Sequence, residues 1–158
     1  MPVQYLSFGC STAHDFWLEV CVPSHIAFFA RQSRATAIQA AWPTWHVHEW
    51  LWHKQNPGKP ASGKAFKSFQ NSFIAKCPEL GWLRDVTDAS KHCGLGRKTQ
   101  VSKVTGFGVQ TTGTVTDPLG SYTQTRTDPL VLVVDGIDRQ FPDVLRAAIK
   151  HLQNTYFS

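Results

Sequence analysis

The sequence predicts a mainly α, α+β protein: a helical bundle of four to six helices, with a small antiparallel β hairpin or sheet inserted before the C-terminal helix. Three observations carry this. Apolar residues recur at three- and four-residue steps through 12–97 and again through 141–157, the period of helices with one buried face. Between them, residues 99–135 switch to alternating, Thr- and Gly-rich segments, the pattern of strands and turns. Hydrophobic residues make up 42% of the 158, with six Trp and ten Phe. That suits one substantial core, so 1–158 is read as a single domain.

The elements follow in order. Residues 1–11 read as an irregular lead-in. From Thr12 a short amphipathic piece follows, with Phe16, Trp17, Val20 and Cys21 docking on the core, and Pro23 interrupts it. Ser24 is the expected N-cap of a helix from His25 to Gln32. A longer helix is expected from about Ser33 to Lys54, with Ile38, Trp42, Trp45, Glu49 and Trp52 on one stripe. Pro43 should kink or split it. Asn56 to Gly63 is a loop by composition. Lys64 to Cys77 carries Phe66, Phe69, Phe73 and Cys77 at helical spacing, and Pro78 suits the first turn of the next helix, with Glu79 favourable to its dipole. Residues 99–107 alternate as a strand does. Pro118-Leu119-Gly120 reads as a turn, and Leu130 to Val134 as a short apolar strand ending at the turn signal Asp135-Gly136. Phe141 to Tyr156 closes the chain as a helix that buries Val144, Leu145, Ala148, Ile149 and Leu152.

The densest chemistry lies in W-L-R-D-V-T-D-A-S-K-H-C-G-L-G-R, from Trp82 to Arg97. At about 100° per residue, Arg84, Asp85, Asp88, Lys91 and His92 share one side of a helix. Trp82, Val86, Ala89 and Cys93 share the other. Gly94 stands where a helix favours a residue of positive φ, so the helix is expected to stop there. The polar side is either a solvated face laced by an Arg84–Asp88 pair or a reactive one. In the reactive reading a carboxylate orients the His92 imidazole, while Arg84 and Lys91 hold a phosphate. Such a set suits RNA cleavage in which the ribose 2′-hydroxyl is the nucleophile and no metal takes part. Cys93, on the apolar side, reads as core.

Two other strings approach known motifs. Gly58 to Ala65 resembles a phosphate-binding P-loop, but Ala65 lacks the hydroxyl that holds Mg²⁺, and a helix rather than a strand precedes it. His48-Glu49 begins a zinc-protease pattern, but the second imidazole, His53, falls one place late. His46, Glu49 and His53 do share a face. With His92 from another helix they would suit a metal; the alternative is partly buried histidines hydrogen-bonded to neighbours, with Glu49 as a partner.

Charge and cysteines bound the rest. The net charge of +5 favours anionic partners without demanding them. Cys10, Cys21, Cys77 and Cys93 form no C-x-x-C pair and read as reduced and partly buried. The N-terminal segment lacks a basic, then apolar, leader, and no stretch is apolar enough to span a membrane. A cytoplasmic location is therefore expected.

A polar helix carrying Arg, a polar residue and then His resembles the HEPN superfamily, helical domains that include metal-independent ribonucleases. Their signature is Arg, four to six residues, then His. Here Arg84 is followed by Asp85, and seven residues separate Arg84 from His92; Arg146 and His151 have four between them, but with Ala147 after the Arg. The chain is also similar to uncharacterised bacterial proteins with an R-D-V-x-D-A-x-K-H string and an upstream H-x-x-[DE]-W-x-x-H helix, matched here by Arg84 to His92 and by His46, Glu49, Trp50 and His53. This likeness implies that the two helices pack side by side. The HEPN resemblance implies a homodimer acting on RNA or another phosphate-bearing ligand, with no cofactor. The competing readings are a non-catalytic protein-interaction domain and a metal-dependent hydrolase built on His46, Glu49 and His53.

Overall fold

The computed structural model describes residues 9–91, 101–105, 110–117, 120–127 and 130–158. Helices dominate, as the periodicity predicts, and the strands fall between the fifth helix and the last. The order is α1 (Ala13–Phe16), a π-helical turn (Trp17–Cys21), α2 (Val22–Ala30), α3 (Arg34–Gln55), α4 (Gly63–Lys76) and α5 (Pro78–Lys91). Strands β1 (Val101–Thr105), β2 (Gln110–Asp117), β3 (Gly120–Thr127), β4 (Val131–Val134) and β5 (Ile137–Gln140) follow, and α6 (Phe141–Tyr156) ends the chain.

Local signals start the helices. Thr12 caps α1: the Asp15 amide donates to Thr12 Oγ1 at 3.0 Å, and the Thr12 amide donates to the Asp15 carboxylate at 2.9 Å. Ser33 caps α3 in the same reciprocal way with Thr36. Pro23 does not interrupt the first segment, and Ser24 is not a cap. The helical rod runs on from the π turn into α2 with Pro23 in the first turn of α2, and Ser24 Oγ donates to the Val20 carbonyl at 2.6 Å. The wide π turn accommodates the missing proline N–H.

Pro43 does not split α3, which runs unbroken for 22 residues. A proline inside a helix costs about 3 kcal/mol or more. Tertiary burial offsets that cost, because α3 is the central helix and packs against α1, α2, α4, α5 and α6. Ala37, Ala40, Ala41, Pro43, Thr44, Trp45, Val47, His48, Leu51 and Trp52 are all buried. Along the stripe of Ile38, Trp42, Trp45, Glu49 and Trp52, Trp45 and Trp52 are inside, while Trp42 is exposed.

Among the described residues the strands form two antiparallel sheets. One has the order β1-β4-β5; in the other β2 and β3 pair only with each other. Leu132 and Val134 of the central strand β4 point into the core. Asp135 (φ 51°) and Gly136 (φ 77°) make the tight turn to β5, both in the left-handed region that this hairpin type requires. The short strand β5, exposed throughout, was not anticipated, since its sequence Ile-Asp-Arg-Gln carries no apolar alternation. The Phe141 amide then donates to the Leu130 carbonyl at 2.8 Å, tying the start of α6 to the foot of β4. Phe141, Val144, Leu145, Ala148 and Leu152 of α6 join the core with Phe28, Leu51, Phe73, Leu80 and Leu83. The turn at residues 118–119 and the predicted helix end at Gly94 lie outside the described residues.

Candidate functional site

Helices α3 and α5 pack side by side, which puts the two motif-bearing segments in contact. The rotation of α5 differs from the expected one. Leu80, Gly81, Leu83, Val86 and Thr87 are buried, and so is Asp85, whereas Ala89 is exposed. Arg84, Asp85, Asp88 and Lys91 therefore do not form one solvated face. The helix meets α3, α4 and α6 on different sides, so the buried arc is wider than the Trp82–Val86–Ala89 stripe.

Arg84 and Asp85 form the core of the site. Arg84 Nε and Nη2 both donate to Asp85 Oδ1, at 3.2 and 3.1 Å. The side chains are 23% and 1% exposed. The pair replaces the Arg84–Asp88 pair expected from i,i+4 spacing: a buried carboxylate needs a positive partner, and the neighbouring guanidinium turns back to supply it. On its other side the Arg84 guanidinium lies 5.9 Å from the centre of the Trp45 ring on α3. Asp88 is half-buried, and Lys91 is exposed at the end of the helix. His92 and Cys93 lie outside the described residues.

The second cluster is on α3. His46 Nδ1 is 2.8 Å from Glu49 Oε1, so the imidazole N–H donates to the carboxylate there. Nε2 is buried without a hydrogen-bond partner. Burial pushes the Glu49 carboxyl up, but the His46 hydrogen bond and the neighbouring imidazoles of His46, His48 and His53 outweigh it and hold the group below its usual value. The reading of these histidines as partly buried and hydrogen-bonded, with Glu49 as a partner, thus describes His46 directly. Among the described residues no three His, Cys, Asp or Glu side chains converge as a metal site.

His48, which begins the zinc-protease-like string, is fully buried. Its Nδ1 faces the Trp45 carbonyl and its Nε2 lies 2.8 Å from Gln70 Nε2 on α4. A carbonyl can only accept, so Nδ1 carries the proton and Nε2 accepts from the amide. Burial lowers the pKa of His48, keeping it neutral. Sequence reasoning missed this Trp45–His48–Gln70 link and the similar one between His25 and Thr44, in which the two side chains meet at 2.7 Å. The available signal was a polar residue on the buried side of an otherwise apolar helix.

The other Arg–His pair is not brought together. Arg146 binds Asp143 at 2.8 Å and covers the Phe29 ring, while the His151 ring packs on Tyr156. The P-loop-like string is a turn that runs into the first residues of α4, held by the Trp52 indole N–H donating to the Pro60 carbonyl at 3.1 Å. Cys10, Cys21 and Cys77 are buried free thiols; burial raises the pKa of each, Cys77 to about 12. Among the described residues no helix is long and apolar enough to cross a membrane. The chain matches no protein-family model, no curated protein and no solved structure.

Proposed function

We propose that the chain is a HEPN-like, RNA-acting protein whose phosphate-holding and proton-transferring groups lie along α5 and just beyond it. The observation that carries this reading is Arg84. It is a half-buried cation fixed from one side by the Asp85 carboxylate and from the other by the Trp45 ring, with Nη1 not used by Asp85. A guanidinium fixed in this way loses little freedom when it binds a phosphate. Lys91, on the same side of the helix, adds a second cation. In the proposed reaction the ribose 2′-hydroxyl attacks the adjacent phosphodiester and the 5′-oxygen leaves. His92 moves the proton, Asp88 orients it, and Arg84 and Lys91 stabilise the charge on the phosphate. Two copies of the chain together complete the site in this reading.

The test is RNA cleavage by the full chain, with and without EDTA, beside Arg84→Ala and His92→Ala. Cleavage that persists in EDTA, falls with Arg84→Ala and disappears with His92→Ala supports the proposal. Cleavage lost only in EDTA would move the chemistry to His46, Glu49 and His53. No cleavage under either condition refutes it.

A second reading, a non-catalytic interaction domain, is favoured by the exposed apolar side chains of Leu18 and Ile26 on the first helical rod. It requires partner binding that survives His92→Ala.

A further inference from the structure

We infer that the outer stripe of α3, built by Trp42, His46 and Glu49, binds amino-bearing nucleobases of single-stranded RNA. The inference rests on the RNA-acting reading and adds to it a base-contacting surface on a second helix.

Trp42 is 41% exposed, whereas Trp45 and Trp52 of the same helix are buried and Trp50 is half-buried. A large aromatic ring left in water is a plane on which a base can stack, and such stacking tolerates any base. The ring is supported from within: His46 lies against it, with the ring centres 4.9 Å apart. The same His46 holds Glu49 through Nδ1, so plane and carboxylate share one positioning residue. Trp42 and Glu49 are seven residues apart, about 10 Å along the helix axis. One base therefore stacks on Trp42 while a neighbouring base reaches the carboxylate.

The carboxylate beside the plane selects for donors. Glu49 Oε2 is not used by His46, and the carboxylate is 42% exposed. Acceptors pair with the amino groups of cytosine, adenine or guanine, as carboxylates do with the cytosine amine. Uracil offers one imino N–H flanked by two carbonyl oxygens, which a carboxylate repels.

The experiment measures the affinity of the full-length protein for fluorescently labelled eight-nucleotide oligocytidine and oligouridine by anisotropy. It is done in the His92→Ala background, which blocks the proposed cleavage. Oligocytidine should bind more tightly than oligouridine. Trp42→Ala should weaken both by about tenfold. Glu49→Gln should erase the preference and leave oligouridine binding unchanged, while Leu18→Ala, on a different helix, should change neither. Far-UV circular dichroism confirms that each variant is folded. If Trp42→Ala binds both oligomers as the parent does, or if the parent shows no preference, the surface is overturned; cleavage of RNA by the native chain would then leave the RNA-acting reading standing. If the parent binds neither oligomer and the native chain cleaves no RNA, both fall.

Discussion

Acid should weaken this fold through His25, and the structure gives the size of the effect. His25 is buried, with Nε2 2.7 Å from Thr44 Oγ1. The Thr44 hydroxyl itself donates to the Ala40 carbonyl at 2.6 Å, so it accepts from His25 Nε2–H. The imidazole edges onto the Trp17 ring. Burial lowers its pKa from 6.5 to about 4. Because the folded-state value lies below the unfolded one, the unfolded chain binds the extra proton between about pH 6.5 and 4. Stability is therefore complete above this window and is lost as pH falls through it. At 1.36 kcal/mol per unit, the difference amounts to about 2 kcal/mol at pH 5 and about 3 kcal/mol at pH 4. Domains of this size are stable by about 5–15 kcal/mol, so the loss is large. The assay is urea unfolding followed by circular dichroism at pH 7, 6, 5 and 4, for the native chain and for His25→Gln. Glutamine keeps a donor for Thr44 and does not titrate. The native chain should lose about 3 kcal/mol more than the variant between pH 7 and pH 4. An equal loss in both would refute the reasoning.

Three further outcomes follow from the packing. Leu83→Ala, at a fully buried position on α5, should cost about 2–5 kcal/mol in chemical denaturation, whereas Ala89→Lys, on the side now seen to be exposed, should stay within about 0.5 kcal/mol. Gln70→Ala removes the donor to the buried His48 Nε2 and should cost about 1–3 kcal/mol by the same measurement. Gly136 sits at φ 77°, so Gly136→Val should lower the melting temperature by a strain of about 1–3 kcal/mol. Asp135→Gly, at φ 51°, should leave stability unchanged or raise it.

What could be read without the structure is what short-range chemistry sets. Pro78 with Glu79 starts α5, and Asp135-Gly136 turns the chain between β4 and β5. The final helix occupies the predicted span from Phe141 to Tyr156, because one of its sides is in water and its apolar period survives intact. Each of these depends on residues within a turn or two of one another. The sequence alone also placed His46, Glu49 and His53 on one helix and Arg84 to Lys91 on another, the helices seen as α3 and α5.

Tertiary structure decided the rest. Helix α3 passes through Pro43 because burial on several sides outweighs one lost hydrogen bond. Asp85 turns inward and takes Arg84 with it, so the i,i+4 pairing with Asp88 gives way to a neighbouring pair. His48 becomes a neutral bridge from Trp45 to Gln70, and Trp42 faces water. These outcomes have one cause. A helix packed on two or three sides has no single buried stripe, so its rotation, and with it the partner of every polar side chain, is set by the helices it meets and not by its own period.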